Sequence, residues 1–272
     1  MRPKHDVAET DVIVEIDAME SSMEPVIERA PAIIPGGMIS RVAIVGADVQ
    51  VALHPDESAL VSDLPEPGRP SFIAGRRALR SALEAAVPAL AHAPLLRMPR
   101  GGPRLPEGAM GSISHKRTHA IALAAPAASA DALETAKHGV IRRHVGIDLE
   151  QRPSPDGAHI DRSQALARRI LTARELEALR ALTGVAHLDA TLLRFALKEA
   201  VYKAIDPHVQ RYVRFTEVEL DVEAASESHA TWGIARVALL LPERPPLTVH
   251  AAWQLDDGWI VAAAMSEEHV ER

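Results

Sequence analysis

The run HVGIDLEQR, His144 to Arg152, constrains the fold most. As a β-strand it places Val145, Ile147 and Leu149 on one face and Gly146, Asp148 and Glu150 on the other. The first face demands an apolar layer. The second sets two carboxylates one strand repeat apart, where like charges repel and oppose folding. Two answers stand at this point. The acids are solvent-facing ornaments at the end of an edge strand, or they share a divalent cation, since Mg²⁺ takes carboxylates and waters with a substrate phosphate completing its shell.

Elsewhere the pattern is that of a mixed α/β protein. The 272 residues suffice for one large or two small domains. Apolar residues make up 47% and aromatic ones 3%, so the core is aliphatic. The net charge of −7 argues against a nucleic-acid partner, which calls for a basic surface. With no cysteine, disulfides, thiolate catalysis and Cys-ligated metals are excluded. The N-terminus lacks a basic-then-apolar signal pattern, and no apolar run reaches the length of a membrane span, so a cytoplasmic protein is expected.

Residues 1–38 are expected to form an acidic extension outside the main fold, followed by a first α/β half over 39–140 and a second over 141–272. In the first, Arg41 to Leu53 reads as a strand and HPDESALVSDLPEPGRP as a linker. SFIAGRRALRSALEAAV reads as a helix capped by Ser71, with Phe72, Ile73, Leu79, Leu83 and Val87 inward and Pro88 as its stop. A Gly/Pro-rich loop leads to SISH and the strand HAIALAA. In the second, Thr172 and Glu175 form a capping box, LDATLLRFALKEAVYKAI is a helix stopped by Pro207, and antiparallel strands close the chain.

Three further groups bear on the carboxylate pair. Glu199 and Lys203, at i and i+4 of the long helix, are either an ordinary exposed ion pair or a third metal carboxylate with a phosphate-binding lysine beside it. GSISHKRTH is either a serine-rich turn or a phosphate contact through Ser114 and His115, helped by Lys116 or Arg117. A hydrolase reading lacks the flanking glycines of a nucleophile elbow. Arg76, Arg77 and Arg80 either solvate a helix or bind a further phosphate by bidentate hydrogen bonds.

These pieces, FIAGRRALRSAL, GGPRLPEGAMGSISHKRTHAIAL, VGIDLE and FALKEAVYKAI, occur together and in order. The sequence resembles the 4'-phosphopantetheinyl transferases, in particular the larger bacterial type serving siderophore, nonribosomal-peptide and polyketide pathways. The resemblance implies two similar α/β halves related by a pseudo-twofold axis, with the active site at their interface. It implies transfer of the phosphopantetheine arm of coenzyme A, the co-substrate, to a serine of an apo acyl, aryl or peptidyl carrier protein, with release of adenosine 3',5'-bisphosphate. Asp148, Glu150 and Glu199 would hold Mg²⁺, or Mn²⁺, and Lys203 and the Ser114–His115 pair would contact the pyrophosphate. Arg76 would meet the 3'-phosphate, assisted by Arg77 or Arg80, while Lys116, directly after His115, is an unusual residue there that would alter the phosphate contacts. Asp148, Glu199 and Lys203 would carry catalysis, the serine proton passing to Glu199 or to a metal-bound water. The alternative is a relative that binds coenzyme A without turnover. A monomer is expected. Ala196 and Leu105 depart from the family pattern, which often has serine and a Trp-Pro pair there, and the acidic N-terminal segment has no counterpart in it.

Overall fold

The computed structural model describes residues 24–44, 53–127, 140–153, 160–222, 232–243, 246–256 and 258–270. Two antiparallel sheets, each backed by a long helix, build a mixed α/β fold. The first sheet contains β1 (Val26–Arg29), β2 (Met38–Ala43), β5 (Ala109–His115) and β6 (His119–Pro126), in the order β1-β2-β6-β5. Between β2 and β5 the chain forms α1 (Pro55–Ser62), α2 (Arg69–Ala86) and a small hairpin, β3 (Leu96–Arg97) with β4 (Pro103–Arg104).

The second sheet has the order β7-β11-β10-β9-β8, from β7 (Val140–Gln151), β8 (Val218–Val222), β9 (Trp232–Leu239), β10 (Leu247–Asp256) and β11 (Trp259–Val270). Three helices separate β7 from β8: α3 (Ile160–Ile170), α4 (Ala173–Ala178) and α5 (Gly184–Val209). Among the described residues no helix is long and apolar enough to cross a membrane.

Strand alternation sorts the side chains into layers. Ala120, Ala122 and Ala124 of β6 pack with Ala78, Leu79, Ala82 and Leu83 of α2. Their neighbours Ile121, Leu123 and Ala125 turn the other way and meet Val145, Ile147, Leu149, Val261 and Ala263 of the second sheet. The far side of that sheet holds α5 through Leu197, Ala200, Val201 and Ala204. The order is therefore helix, sheet, sheet, helix, and β7 lies between the inter-sheet core and α5. Outside the apolar layer, Arg41 of β2 pairs with Asp256 of β10 at 2.6 Å, and Arg100 pairs with Asp206 of α5.

Several local expectations change. The supposed linker contains α1, because the His54 side chain accepts from the Asp56 amide, Pro55 starts the helix and Glu57 closes a capping box. Ser71 is not the N-cap of α2. The helix begins two residues earlier, at Arg69, and the Ser71 hydroxyl donates back to the Gly68 carbonyl. Its buried stripe is set by Ala74, Ala78, Leu79, Ala82 and Leu83, while Phe72, Ile73 and Val87 are only half-buried. Pro207 lies inside α5, which runs on to Val209 and ends where Gln210 adopts φ 53°. A proline this close to the end removes a single intrahelical bond, so the last turn tolerates it. The segment expected to stand outside the fold contributes β1 to the sheet edge and buries Ile34 in the inter-sheet core. Residues 1–23, and residues 45–52 of the expected strand after Arg41, lie outside the described residues.

Candidate active site

The site lies where edge strands β5 and β7 run side by side. In place of a backbone ladder, two serines of β5 bridge to β7. Ser112 Oγ accepts from the Ile147 amide at 3.2 Å, and Ser114 Oγ donates to Asp148 Oδ1 at 2.7 Å. Period-two alternation points both serines toward β7 and leaves Gly111 and Ile113 facing α2.

Across β7, α5 approaches so closely that only glycine fits at position 146. That contact brings Lys203 over the strand, where its Nζ donates to Ile147 O and to Asp148 Oδ1, both at 2.8 Å. Asp148 is 4% exposed, and its Oδ2 is buried with no hydrogen-bond partner. Glu150, 7% exposed, pairs with Lys116 Nζ at 2.5 Å.

The electrostatics tie the three acids together. Burial pushes the Glu150 carboxyl up to about 7, against the Lys116 hydrogen bond and with help from the charges of Asp148 and Glu199. Glu199 is also raised, by burial first and then by Asp148, with Lys203 and Lys116 opposing. His115 stands at the open end of β5. Partial shelter by its neighbours, and then the Lys203 and Lys116 cations, hold its imidazole below the usual range.

The donor set suits a hard divalent cation, since all three groups offer oxygen and Asp148 Oδ2 is an unsatisfied buried acceptor. Among the described residues no three Asp, Glu or His groups stand together at ligand spacing. Lys116 holds Glu150, and that side chain would have to turn from the lysine to join the other two.

The arginines of α2 form a separate group. Arg76, 5% exposed, donates to the carbonyls of Leu95 at 2.7 Å and Leu96 at 3.0 Å, and its guanidinium lies 4.4 Å from the centroid of the Phe72 ring. Burial brings its pKa down to about 10, opposed by Glu57. Arg80 donates to the carbonyls of Ala91 and Ala93 and to Glu57, whose Oε1 also accepts from the Leu95 amide at 2.7 Å. Arg77 is half-buried. Arg76 and Arg80 thus brace residues 91–96, the approach to the β3–β4 hairpin, instead of lying free on a helix surface.

Sequence reasoning missed three features. Glu57 fell in the supposed linker, although its place three residues after a possible cap was a signal. Lys198, 1% exposed, donates to Glu175 Oε2, Ile170 O and Phe215 O, so it pins the middle of α5 beside Glu199. A cleft lined by Glu199, Tyr202, Tyr212, Val213, Arg214 and Phe215 opens next to that glutamate. It joins segments too far apart in sequence for any local pattern to announce.

The matches to known proteins cover this same ground. Residues 56–125 match the 4'-phosphopantetheinyl transferase N-terminal domain, and residues 144–264 match the 4'-phosphopantetheinyl transferase superfamily. The chain belongs to the 4'-phosphopantetheinyl transferase superfamily. It is 29% identical over 218 residues to the 4'-phosphopantetheinyl transferase Npt of Nocardia iowensis, covering 77% of this chain and 87% of that protein. It is 27% identical over 213 residues to the 4'-phosphopantetheinyl transferase PptT of Mycobacterium tuberculosis, covering 77% and 84%. Among solved structures it is similar to a holo-(acyl-carrier-protein) synthase from Bacillus anthracis in complex with CoA (3',5'-ADP), with 22% identity and a TM-score of 0.35 over 46% of this chain and 95% of that one. As a member of this superfamily the protein is a transferase. The Ser112–Ser114 bridge lies in the span of the N-terminal domain, and Asp148, Glu150, Glu199 and Lys203 lie in the other span.

Proposed function

We propose that this transferase moves the 4'-phosphopantetheine arm of coenzyme A onto a serine of an apo acyl, aryl or peptidyl carrier protein, with Mg²⁺ bound by Asp148, Glu150 and Glu199. One observation carries the metal reading: Asp148 Oδ2 is buried without a partner, on a strand whose next outward residue is a second buried carboxylate. Buried polar atoms are nearly always satisfied, so an unpaired carboxylate oxygen calls for a cation.

The reaction forms a bond from the carrier serine oxygen to the β-phosphorus of coenzyme A. The bond from that phosphorus to the bridging oxygen breaks, and adenosine 3',5'-bisphosphate leaves with the electron pair. Most of the work is positioning and neutralisation of negative charge. Mg²⁺ held by Asp148, Glu150 and Glu199 would supply Lewis acidity toward the pyrophosphate oxygens. Lys203 spends two of its three hydrogens on Ile147 O and Asp148 Oδ1, which leaves one for a phosphate oxygen. His115 and Lys116 offer further donors at the open end of β5. The serine proton would pass to Glu199, whose carboxyl is raised by burial and by Asp148, or to a metal-bound water.

For the carrier, Arg168 and Arg169, both exposed in the last turn of α3, would provide a basic edge for an acidic partner helix. Arg174 is committed to Glu219 and Asp221, and the side chain of Arg162 lies outside the described residues.

The test is the intact mass of an apo carrier after incubation with the protein, coenzyme A and Mg²⁺. A gain of one phosphopantetheine arm, lost with EDTA and in Glu199→Ala, supports both the reaction and the metal site. Coenzyme A binding with no gain on acyl, aryl and peptidyl carriers would make the chain a non-catalytic binder.

A further inference from the structure

We propose that Ser266, His208 and Glu268 form a proton-dependent clamp that seats the last turn of α5 on β11 and thereby holds Lys203 on Asp148. The clamp stands on geometry alone, while its effect on transfer rests on the part given above to Lys203. His208 lies in the last turn of α5, beyond Lys203, with its side chain 3% exposed. Its Nε2 is 3.1 Å from Ser266 Oγ and its Nδ1 is 3.3 Å from Glu268 Oε2. Fully buried Ser266 donates its one hydrogen to Ala204 O at 2.7 Å, with His144 O a longer acceptor at 3.4 Å. Pro207 has no amide hydrogen to offer the Lys203 carbonyl, so this turn leans on such side-chain anchors.

The hydrogen count sets the state of the imidazole. Ser266 has no second hydrogen, so Nε2 must donate to its oxygen, and a carboxylate only accepts, so Nδ1 must donate to Glu268. Both contacts hold together only when both ring nitrogens carry hydrogens, which is the imidazolium. A cation in the last turn of a helix also meets the negative end of its dipole. Around this ring, β7 supplies His144, whose ring packs edge-on at 4.8 Å, and Arg142, which lies 3.8 Å from Glu268. On α5 itself, Lys203 turns to Asp148 and Asp206 to Arg100. His144 takes no second proton near neutrality, since burial, then the His208 charge and Arg142, against Glu268, bring its pKa down to about 4. A neutral ring keeps one hydrogen, so as pH rises His208 must drop either Ser266 or Glu268. The helix then loosens from β11 at the turn next to Lys203, and transfer falls.

The experiment compares wild type with His208→Gln, which keeps a donor for Ser266 but has no proton to lose, and with Glu268→Gln, which removes the partnering charge. Nitrogen NMR of the histidine rings follows both His208 nitrogens from about pH 5.5 to about pH 9. Hydrogen exchange reads the last turn of α5 in ligand-free protein, the carrier mass assay gives kcat/KM, and melting curves check folding. Wild type should show a doubly protonated His208 at the acid end. As that proton leaves, protection of the last turn should fall at least about tenfold, and kcat/KM should fall with it. Glu268→Gln should move both declines down by about one pH unit, the shift that a close opposite charge produces. His208→Gln should show neither decline. A singly protonated His208 throughout the range, or equal declines in wild type and His208→Gln, would overturn the clamp. Exchange that follows His208 while kcat/KM does not would cut the link to Lys203 and overturn the proposal there. Exchange that follows His208 in protein that modifies no carrier at any pH would keep the clamp and sink the functional reading instead.

Discussion

A β-carbon built on Gly146 would stand 1.9 Å from the carbonyl oxygen of Ala200. The absence of a side chain on β7 is what lets α5 lie against the strand and carry Lys203 to Asp148. The obstructing atom is helix backbone, so no rotamer change relieves the clash. Gly146→Ala should push α5 outward and cost about 3 kcal/mol, the upper end of ordinary overpacking. Transfer activity should fall with the displaced lysine. Urea unfolding measures the first effect and the carrier mass assay the second. Wild-type stability in this variant would mean that α5 is not seated on the strand as described.

Lys198 and Glu175 form a buried ion pair at 2.6 Å, with side chains 0% and 1% exposed. Glu175 also accepts from the amides of Thr172 and Leu220, so the pair joins the start of α4, the middle of α5 and β8. Removing one partner strands the other charge, which costs about 3–5 kcal/mol. Lys198→Ala should lose that much. Lys198→Met combined with Glu175→Gln should be less damaging than Lys198→Ala, because no unpaired charge remains. Denaturant midpoints decide between additive loss and this recovery.

Patterns with a short period were legible in the sequence. Asp148 and Glu150 could be placed on one face of a strand, and Thr172–Glu175 as a helix start, because each rests on residues two or three apart. Helix α1 was hidden because its cap is a histidine, outside the usual Ser, Thr, Asp and Asn set, and because it shows no apolar stripe. Arg76 looked exposed because its acceptors lie 19 and 20 residues away, in a loop whose return to α2 no local pattern encodes. Ser114 could be singled out in the sequence, but its hydrogen-bond partner 34 residues away could not. Pro207 overstated its effect, since a helix interior and a last turn look alike until the end of the helix is known.

Glu57, 0% exposed, ties α1 to Arg80 and to the Leu95 amide. Glu57→Ala would leave Arg80 without its counter-ion and should cost about 3–5 kcal/mol. Arg76→Ala should also destabilise the protein with no coenzyme A present, since two backbone carbonyls lose their donor. Thermal unfolding without ligand measures both. A purely ligand-binding Arg76 would leave that melting temperature unchanged and lower only the shift that coenzyme A produces.

The pH dependence of stability follows from Glu150, whose folded pKa is pushed up to about 7 from an ordinary 4.5, by burial first and then by Asp148 and Glu199 against Lys116. Between these two values the folded protein keeps a proton that the unfolded chain has released. Stability from this group is therefore complete below about 4.5 and declines as pH rises to about 7. In EDTA, Glu150→Gln should remove that decline and flatten the curve across the same window. A divalent cation needs the ionised carboxylate and so competes with the proton. The gain in melting temperature on adding Mg²⁺ should grow from pH near 6 to pH near 8 (about one unit either side of that pKa). Equal gains at the two values would remove Glu150 from the metal shell, while the metal-free curve would still report its buried charge.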